Sequence, residues 1–307
     1  MGYRYDKDLE FLENLNSSDI EQLVEILIYD KDGEKRYTEE LSKSDGYKKY
    51  YPNHNKYYQD IVEELQRFGG NSFVNILRLG EGVLYKEILI DVCDKLKVNY
   101  NKNSDIERIE TNLLMKILED ALENMSDDER EELARSIGLE NTQDFSAKAM
   151  SGIFQAIFRA GGFKSYQLTL IIVNAILKVL IGRGLSFGAN AILTRTMAIL
   201  TGPIGWVITA LWTAIDVAGP AYRVTIPAVI EISALRQKYL YELMLEKKKN
   251  IEIKASETND EKLQRLEKEA EETRKAIEKG ELVKRYDLET GEEVYIERTP
   301  FDFMREG

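Results

Sequence analysis

Apolar residues recur at intervals of three and four along the first 145 positions, the spacing that turns one face of an α-helix inward. Leu23, Val24, Leu27 and Ile28 form one such stripe, and Ile106, Ile109, Leu113, Ile117 and Leu118 form another. Serine followed three residues later by glutamate, the capping-box spacing, predicts helix starts at Ser18/Glu21, Ser104/Glu107 and Ser126/Glu129, the last helix ending at Gly138. Between these stripes six of the 17 tyrosines, Tyr37, Tyr47, Tyr50, Tyr51, Tyr57 and Tyr58, fall in 22 positions around Pro52 and His54. Tyr47, Tyr50, Tyr51, Tyr57 and Tyr58 are the candidate partner-binding residues, because tyrosine is enriched at interfaces. The competing reading is aromatic packing of short helices with hydroxyls at the surface.

The pattern changes after residue 146. Leu168 to Ile181, Leu185 to Leu200 and Ile204 to Ala218 are apolar segments with one charge apiece, punctuated by Gly182, Gly184, Gly202, Pro203, Gly219 and Pro220. As helices they rise about 1.5 Å per residue and fall short of the ~20 residues needed to span a bilayer. The uncharged run Thr196 to Ile215 reaches that length but is broken at Gly202 and Pro203. Gly182, Gly184, Ser186, Gly188, Ala189 and Ala191 predict close helix packing. The string GRGLSFG only superficially matches a phosphate-binding turn, since neither a strand nor an acidic residue stands where that motif needs it.

Beyond Ile230 polar positions return. Leu263, Leu266, Ala270, Thr273 and Ile277 predict a helical arm packing on its own domain, with Glu261/Arg265 and Glu271/Lys275 as pairs on its face. LVKRYDLETGEEVYIERT predicts a small hairpin turning at Thr290 and Gly291. The expected architecture is mainly α: a helical bundle with an apolar central helical domain and a small C-terminal β-hairpin. Its expected divisions are an acidic helical domain at 1–145, an apolar basic one at 146–240, and a charged arm with the hairpin at 241–307.

Charge sharpens that division. The 307-residue chain carries a net −12, yet between Ser151 and Ile230 six basic side chains face only Asp216, a local +5 that leaves −17 for the rest. The acidic average argues against nucleic acid as a partner. A cationic apolar middle admits three readings: the core of a helical bundle, an integral membrane domain, or a sheltered segment that inserts into a bilayer when released. The last is the favoured expectation. Lys178, Arg183, Arg195 and Arg223 would meet anionic headgroups, Trp206 and Trp212 would anchor at the interface, and Asp216 would need a cationic partner. Several copies inserting together would form a pore. The alternative is a soluble chaperone-like or adaptor module that holds a helical protein client, or self-associates.

Catalytic chemistry is not expected. Cys93 and His54 are the only cysteine and histidine, which leaves no metal-ligand set built from those residues and no disulfide. They are read as a buried thiol and a surface histidine rather than a nucleophile and its base. No cofactor is implied. MGYRYDKDLEF lacks an apolar signal-peptide core, and Asp6 stands where myristoylation needs Ser or Thr, so the expected location is cytoplasmic, peripheral at the inner membrane if lipids are bound.

YRYDKDLEFL, ILIDVCDKLKVNYNKNSDIERIETNLLMKIL and GPIGWVITALWTAIDVAGPAYRVTIPAVI together resemble the YaaW family of uncharacterised bacterial proteins, over roughly residues 1–240. The resemblance implies an N-terminal domain of unknown function followed by a region similar to ubiquinol cytochrome c chaperones, helical proteins that handle a membrane protein during assembly. It brings no catalytic residues, and it does not extend to the acidic arm after Lys247.

Overall fold

The computed structural model describes residues 3–70, 82–139, 142–185, 202–209, 219, 221–256, 259–279, 282–286 and 293–297. Arg195, Trp212 and Asp216 lie outside them, as do the turn residues Thr290 and Gly291. The described chain is mainly helical and divides into two units, residues 1–244 and 245–307.

In the first unit the helices are α1 (Ser17–Ile28), α2 (Asp45–Tyr50), α3 (Tyr58–Gly70), α4 (Tyr85–Lys95), α5 (Ile106–Glu123), α6 (Asp127–Ser136), α7 (Ala147–Ala160), α8 (Gly162–Leu180) and α9 (Tyr222–Ser256), the last passing into the second unit. Residues 202–209 are also helical. Both predicted stripes are buried: Leu23, Val24, Leu27 and Ile28 on α1, and Ile106, Ile109, Leu113, Ile117 and Leu118 on α5. Full burial of such a side chain contributes about 1.5–3 kcal/mol, so the apolar face of α5 anchors it against α4, α7 and α8.

Helix starts follow the local chemistry with two corrections. Ser126 and Glu129 form the full capping box that opens α6. α1 instead begins after Asn16, and Ser17 donates to Asn55 Oδ1 at 3.1 Å. α5 begins after Asp105, because the backbone around Ser104 is taken up by the preceding turn. There the Ser104 N–H donates to the Asn101 carbonyl and the Ser104 carbonyl accepts from Lys86 Nζ.

The apolar segment expected from Leu168 starts earlier, at Gly162, and runs to Leu180. It is the one described helix long and apolar enough to cross a membrane, and 61% of its most apolar window is buried inside the protein. Asn174, within it, accepts the Leu185 N–H at 2.9 Å and folds the exit back onto the helix. A Cβ at Gly184 would sit 2.0 Å from Asn174 Oδ1, and Gln22 of α1 donates to the Gly184 carbonyl at 3.0 Å. This part of GRGLSFG is therefore a packed junction between α8 and α1.

A buried polar knot ties the first unit together. Arg236 of α9 donates to both Glu110 oxygens on α5 and to the Asp8 carbonyl, and Tyr85 Oη donates to Glu110 Oε1 at 2.5 Å. Asp6 accepts the Tyr85 N–H at 2.6 Å, so the N-terminal segment joins the same network.

In the second unit, α10 (Asn259–Glu278) carries a Glu271–Lys275 ion pair at 2.7 Å, at the expected spacing. Leu263 and Leu266 are exposed rather than packed as the arm expectation required. Further pairs at the same spacing, Lys268–Glu272 and Arg274–Glu278, give this helix a solvated face. Two strands, β1 (Leu282–Tyr286) and β2 (Glu293–Glu297), pair antiparallel with Leu282 opposite Glu297.

Candidate client-binding cleft

A cleft of about 720 Å³ opens in the first unit between α5, α7, the α7–α8 turn and α9. Each helix contributes a stripe of its own. On α5 the stripe is Arg108, Asn112, Met115 and Glu119, stepping by four, three and four residues along the flank of the buried face. Gln237, Leu240, Tyr241 and Met244 repeat the spacing on α9, and Gln155, Phe158 and Arg159 on α7. Gly161 and Gly162, at φ +66° and +71°, make the reversal between α7 and α8 in the left-handed region that favours glycine. A Cβ on Gly162 would lie 3.9 Å from Met244 Sδ.

The walls are held from behind. The Tyr241 ring stacks on Tyr166 at 4.9 Å and packs against Phe163 at 5.8 Å. The Glu110–Arg236 knot pins α9 to α5 one residue before Gln237 and two after Arg108. Leu240 and Met244 are exposed in the cleft although both are large and apolar. Methionine and leucine on a rigid floor, with polar groups at the edges, suit a helix laid into a groove.

Charge in the cleft is partly spent. Lys116 pairs with Asp120 at 2.5 Å, and Glu119 accepts from Ser151 at 2.6 Å and Gln155 at 3.0 Å. Arg108 and Arg159 are exposed and make no side-chain hydrogen bond or ion pair among the described residues.

The tyrosine-rich stretch follows the packing reading at two of its five candidate residues. Tyr57 and Tyr58 are buried, Tyr47 and Tyr50 are half-buried, and only Tyr51 of the five is exposed. His54, expected at the surface, is buried too. Its Nδ1 meets the Tyr57 hydroxyl, and its ring lies edge-on to Tyr51 and Tyr57. Burial pushes its pKa down, which favours the neutral ring. Burying the Tyr57 and Tyr58 rings outweighs keeping them wet, so these two belong to the core and Tyr47 and Tyr50 pack against it.

Of the residues expected to meet lipid, Lys178, Arg183, Trp206 and Arg223 lie among the described residues. Lys178 and Arg223 are exposed, while Arg183 pairs with Glu25 of α1 at 2.8 Å. Trp206 is 74% exposed above buried Ile204, Val207 and Ile208. The cleft escaped the sequence reading, although the second stripe on α5 and the Gly161–Gly162 pair between two helices were its available signals.

Comparison with known proteins places these elements in a family. The model described as ubiquinol-cytochrome C chaperone matches residues 53–230, a span that includes α5, α7 and α8, and a domain of unknown function, DUF3944, matches residues 3–37. A UPF0174 protein of Helicobacter pylori strain J99 is 54% identical over 238 residues, covering 78% of this chain and 94% of its own. The UPF0174 protein YaaW of Escherichia coli K12 is 30% identical over 247 residues, covering 77% and 96%. No solved structure matches. The chain therefore belongs to the UPF0174 (YaaW) family and carries its ubiquinol-cytochrome C chaperone-like region.

Proposed function

We propose that this protein is a non-catalytic, chaperone-like module that holds a helical segment of a protein client in the cleft between α5, α7 and α9. The observation that carries the reading is the cleft itself: a preformed groove about 720 Å³ in volume whose floor exposes Leu240 and Met244. Covering such a floor contributes roughly 25 cal/mol per Å² of apolar surface removed from water. The chaperone-like family region, which supplies two of the three walls, supports the same reading. Burial pushes the Cys93 thiol up to about 12 and suppresses the thiolate, so this side chain is a poor nucleophile.

Membrane insertion, the favoured expectation from sequence, draws less support. It requires α8 to leave the protein, yet α8 is largely buried and held by Asn174 and Gly184. Exposed Trp206 is the observation in favour of lipid contact, and co-sedimentation with anionic and neutral liposomes tests it.

Client binding is tested by fluorescence anisotropy of a labelled amphipathic helical peptide against the parent protein and Leu240→Gln/Met244→Gln. Both side chains are exposed, so the double variant keeps its fold. Saturable binding to the parent that weakens about tenfold or more in the variant supports the reading. Equal binding to both places the client elsewhere.

A further inference from the structure

We propose that the segment held in the cleft is acidic: an amphipathic helix whose apolar stripe covers Leu240 and Met244, and whose carboxylates pair with Arg108 and Arg159. This rests on the client-binding reading and adds the chemistry of the client.

The argument begins with what arginine does elsewhere in this acidic chain. Arg67 pairs with Glu64 at 2.9 Å, Arg135 with Glu131 at 2.5 Å, Arg183 with Glu25 at 2.8 Å and Arg236 with Glu110 at 3.0 Å. Arg4, Arg36 and Arg130 donate to backbone carbonyls. With 54 acidic side chains against 42 basic, partners are plentiful. Arg108 and Arg159 nevertheless have none among the described residues. They stand on different helices, α5 and α7, and both line the same cleft.

None of the other charged side chains lining the cleft pairs with them among the described residues. Lys116 and Asp120 satisfy each other, and Glu119 is hydrogen-bonded to Ser151 and Gln155. Glu107 acts on the buried knot, where its charge raises the pKa values of both Glu110 and Arg236. Two uncommitted guanidiniums beside an apolar floor remain. A guanidinium presents a planar fork that fits a carboxylate, and such charge-assisted pairs are stronger than neutral hydrogen bonds. Opposite charge at the edge of a groove also steers encounter and fixes orientation.

The experiment uses the full chain and two labelled helical peptides of about five turns. They share one leucine and methionine stripe, and their flanking positions are glutamate in one and lysine in the other. The glutamate peptide is expected to bind about tenfold more tightly, with an advantage that shrinks as salt rises. Arg108→Gln/Arg159→Gln should erase that advantage and leave the circular dichroism and thermal midpoint of the protein unchanged. If the two peptides bind alike and Met244→Gln weakens both, the acidic preference is overturned and the client-binding reading stands. If neither binds, both fall. If phosphatidylglycerol vesicles displace the glutamate peptide and the arginine variant loses the vesicles, the guanidiniums serve lipid phosphates and the proposal is overturned.

Discussion

Arg236 and Glu110, 126 residues apart in sequence, meet as a buried ion pair in which one guanidinium nitrogen, Nε, lies 3.2 and 3.0 Å from the two carboxylate oxygens. The pair is sheathed by aromatic rings, with the guanidinium 4.5 Å from the centre of Phe11 and 5.6 Å from that of Tyr85. Burial raises the Glu110 pKa even against the attraction of Arg236. For Arg236 burial acts downward and is outweighed by Glu110 and Tyr85, so its pKa is raised. Because the pair fixes α9 to α5, it sets the separation of two walls of the cleft.

Removing one partner leaves the other charged and buried. Arg236→Gln is expected to lower unfolding stability by about 3–5 kcal/mol in urea denaturation. The double variant Glu110→Gln/Arg236→Gln should recover a large part of that loss, since no uncompensated charge remains. A double variant as unstable as the sum of the two single changes would show that the two groups do not act as a pair.

Glu231 of α9 supplies a pH dependence with a definite sign. Neither of its oxygens meets a hydrogen-bond partner among the described residues, and burial raises its pKa to about 8 against the attraction of Arg183, with Asp19 adding to the rise. A carboxyl whose folded pKa exceeds its unfolded value holds its proton more tightly when folded. Stability is therefore highest on the acid side of this window and falls as pH climbs from 4.5 towards about 8. Each unit of difference corresponds to about 1.4 kcal/mol. Glu231→Gln, which mimics the protonated form, should match the parent near pH 4 and exceed its stability by several kcal/mol above pH 8. Parallel stability curves for parent and variant across that range would refute the assignment.

Two glycines predict opposite outcomes for the same substitution. A Cβ at Gly184 would collide with Asn174 Oδ1 at 2.0 Å, whereas one at Gly152, inside α7, has nothing within 4 Å. Gly184→Ala should cost about 1–3 kcal/mol through forced displacement of Asn174. Gly152→Ala should stabilise by roughly 1 kcal/mol, the difference in helix propensity. Thermal melts of the two variants check both signs.

Cys93 is fully buried on α4 and its thiol is pushed up to about 12, first by burial and then by Asp94 and Glu110. A thiol-specific aromatic disulfide reagent should label the folded protein at a rate limited by opening of the structure, and label it rapidly in denaturant. Fast labelling of the native protein would place the thiol at the surface.

What sequence made legible was what local periodicity controls. The stripes on α1 and α5 are buried as their spacing predicts, and Ser126 with Glu129 caps α6. Where a backbone group had a tertiary partner the local signal moved, as at Ser104, which stayed in its turn, and α1 opens at Ser17 after Asn16 rather than at the predicted Ser18. Apolar content in α8 looked the same whether it served a bilayer or a core, because transfer from water favours both. Aromatic density was equally ambiguous between a partner surface and packing, and Tyr57 and Tyr58 are buried as the packing reading expects. The cleft needed three helices brought together from positions 108 to 244, and no window of sequence contains it.

The most direct test of the account is hydrogen exchange of the full chain with and without the glutamate-flanked helical peptide. Protection gained over residues 106–123, 147–160 and 237–244 is the predicted result, with residues 44–58 unchanged. Protection confined to residues 44–58, or saturating peptide binding without any change at the three cleft segments, would contradict it.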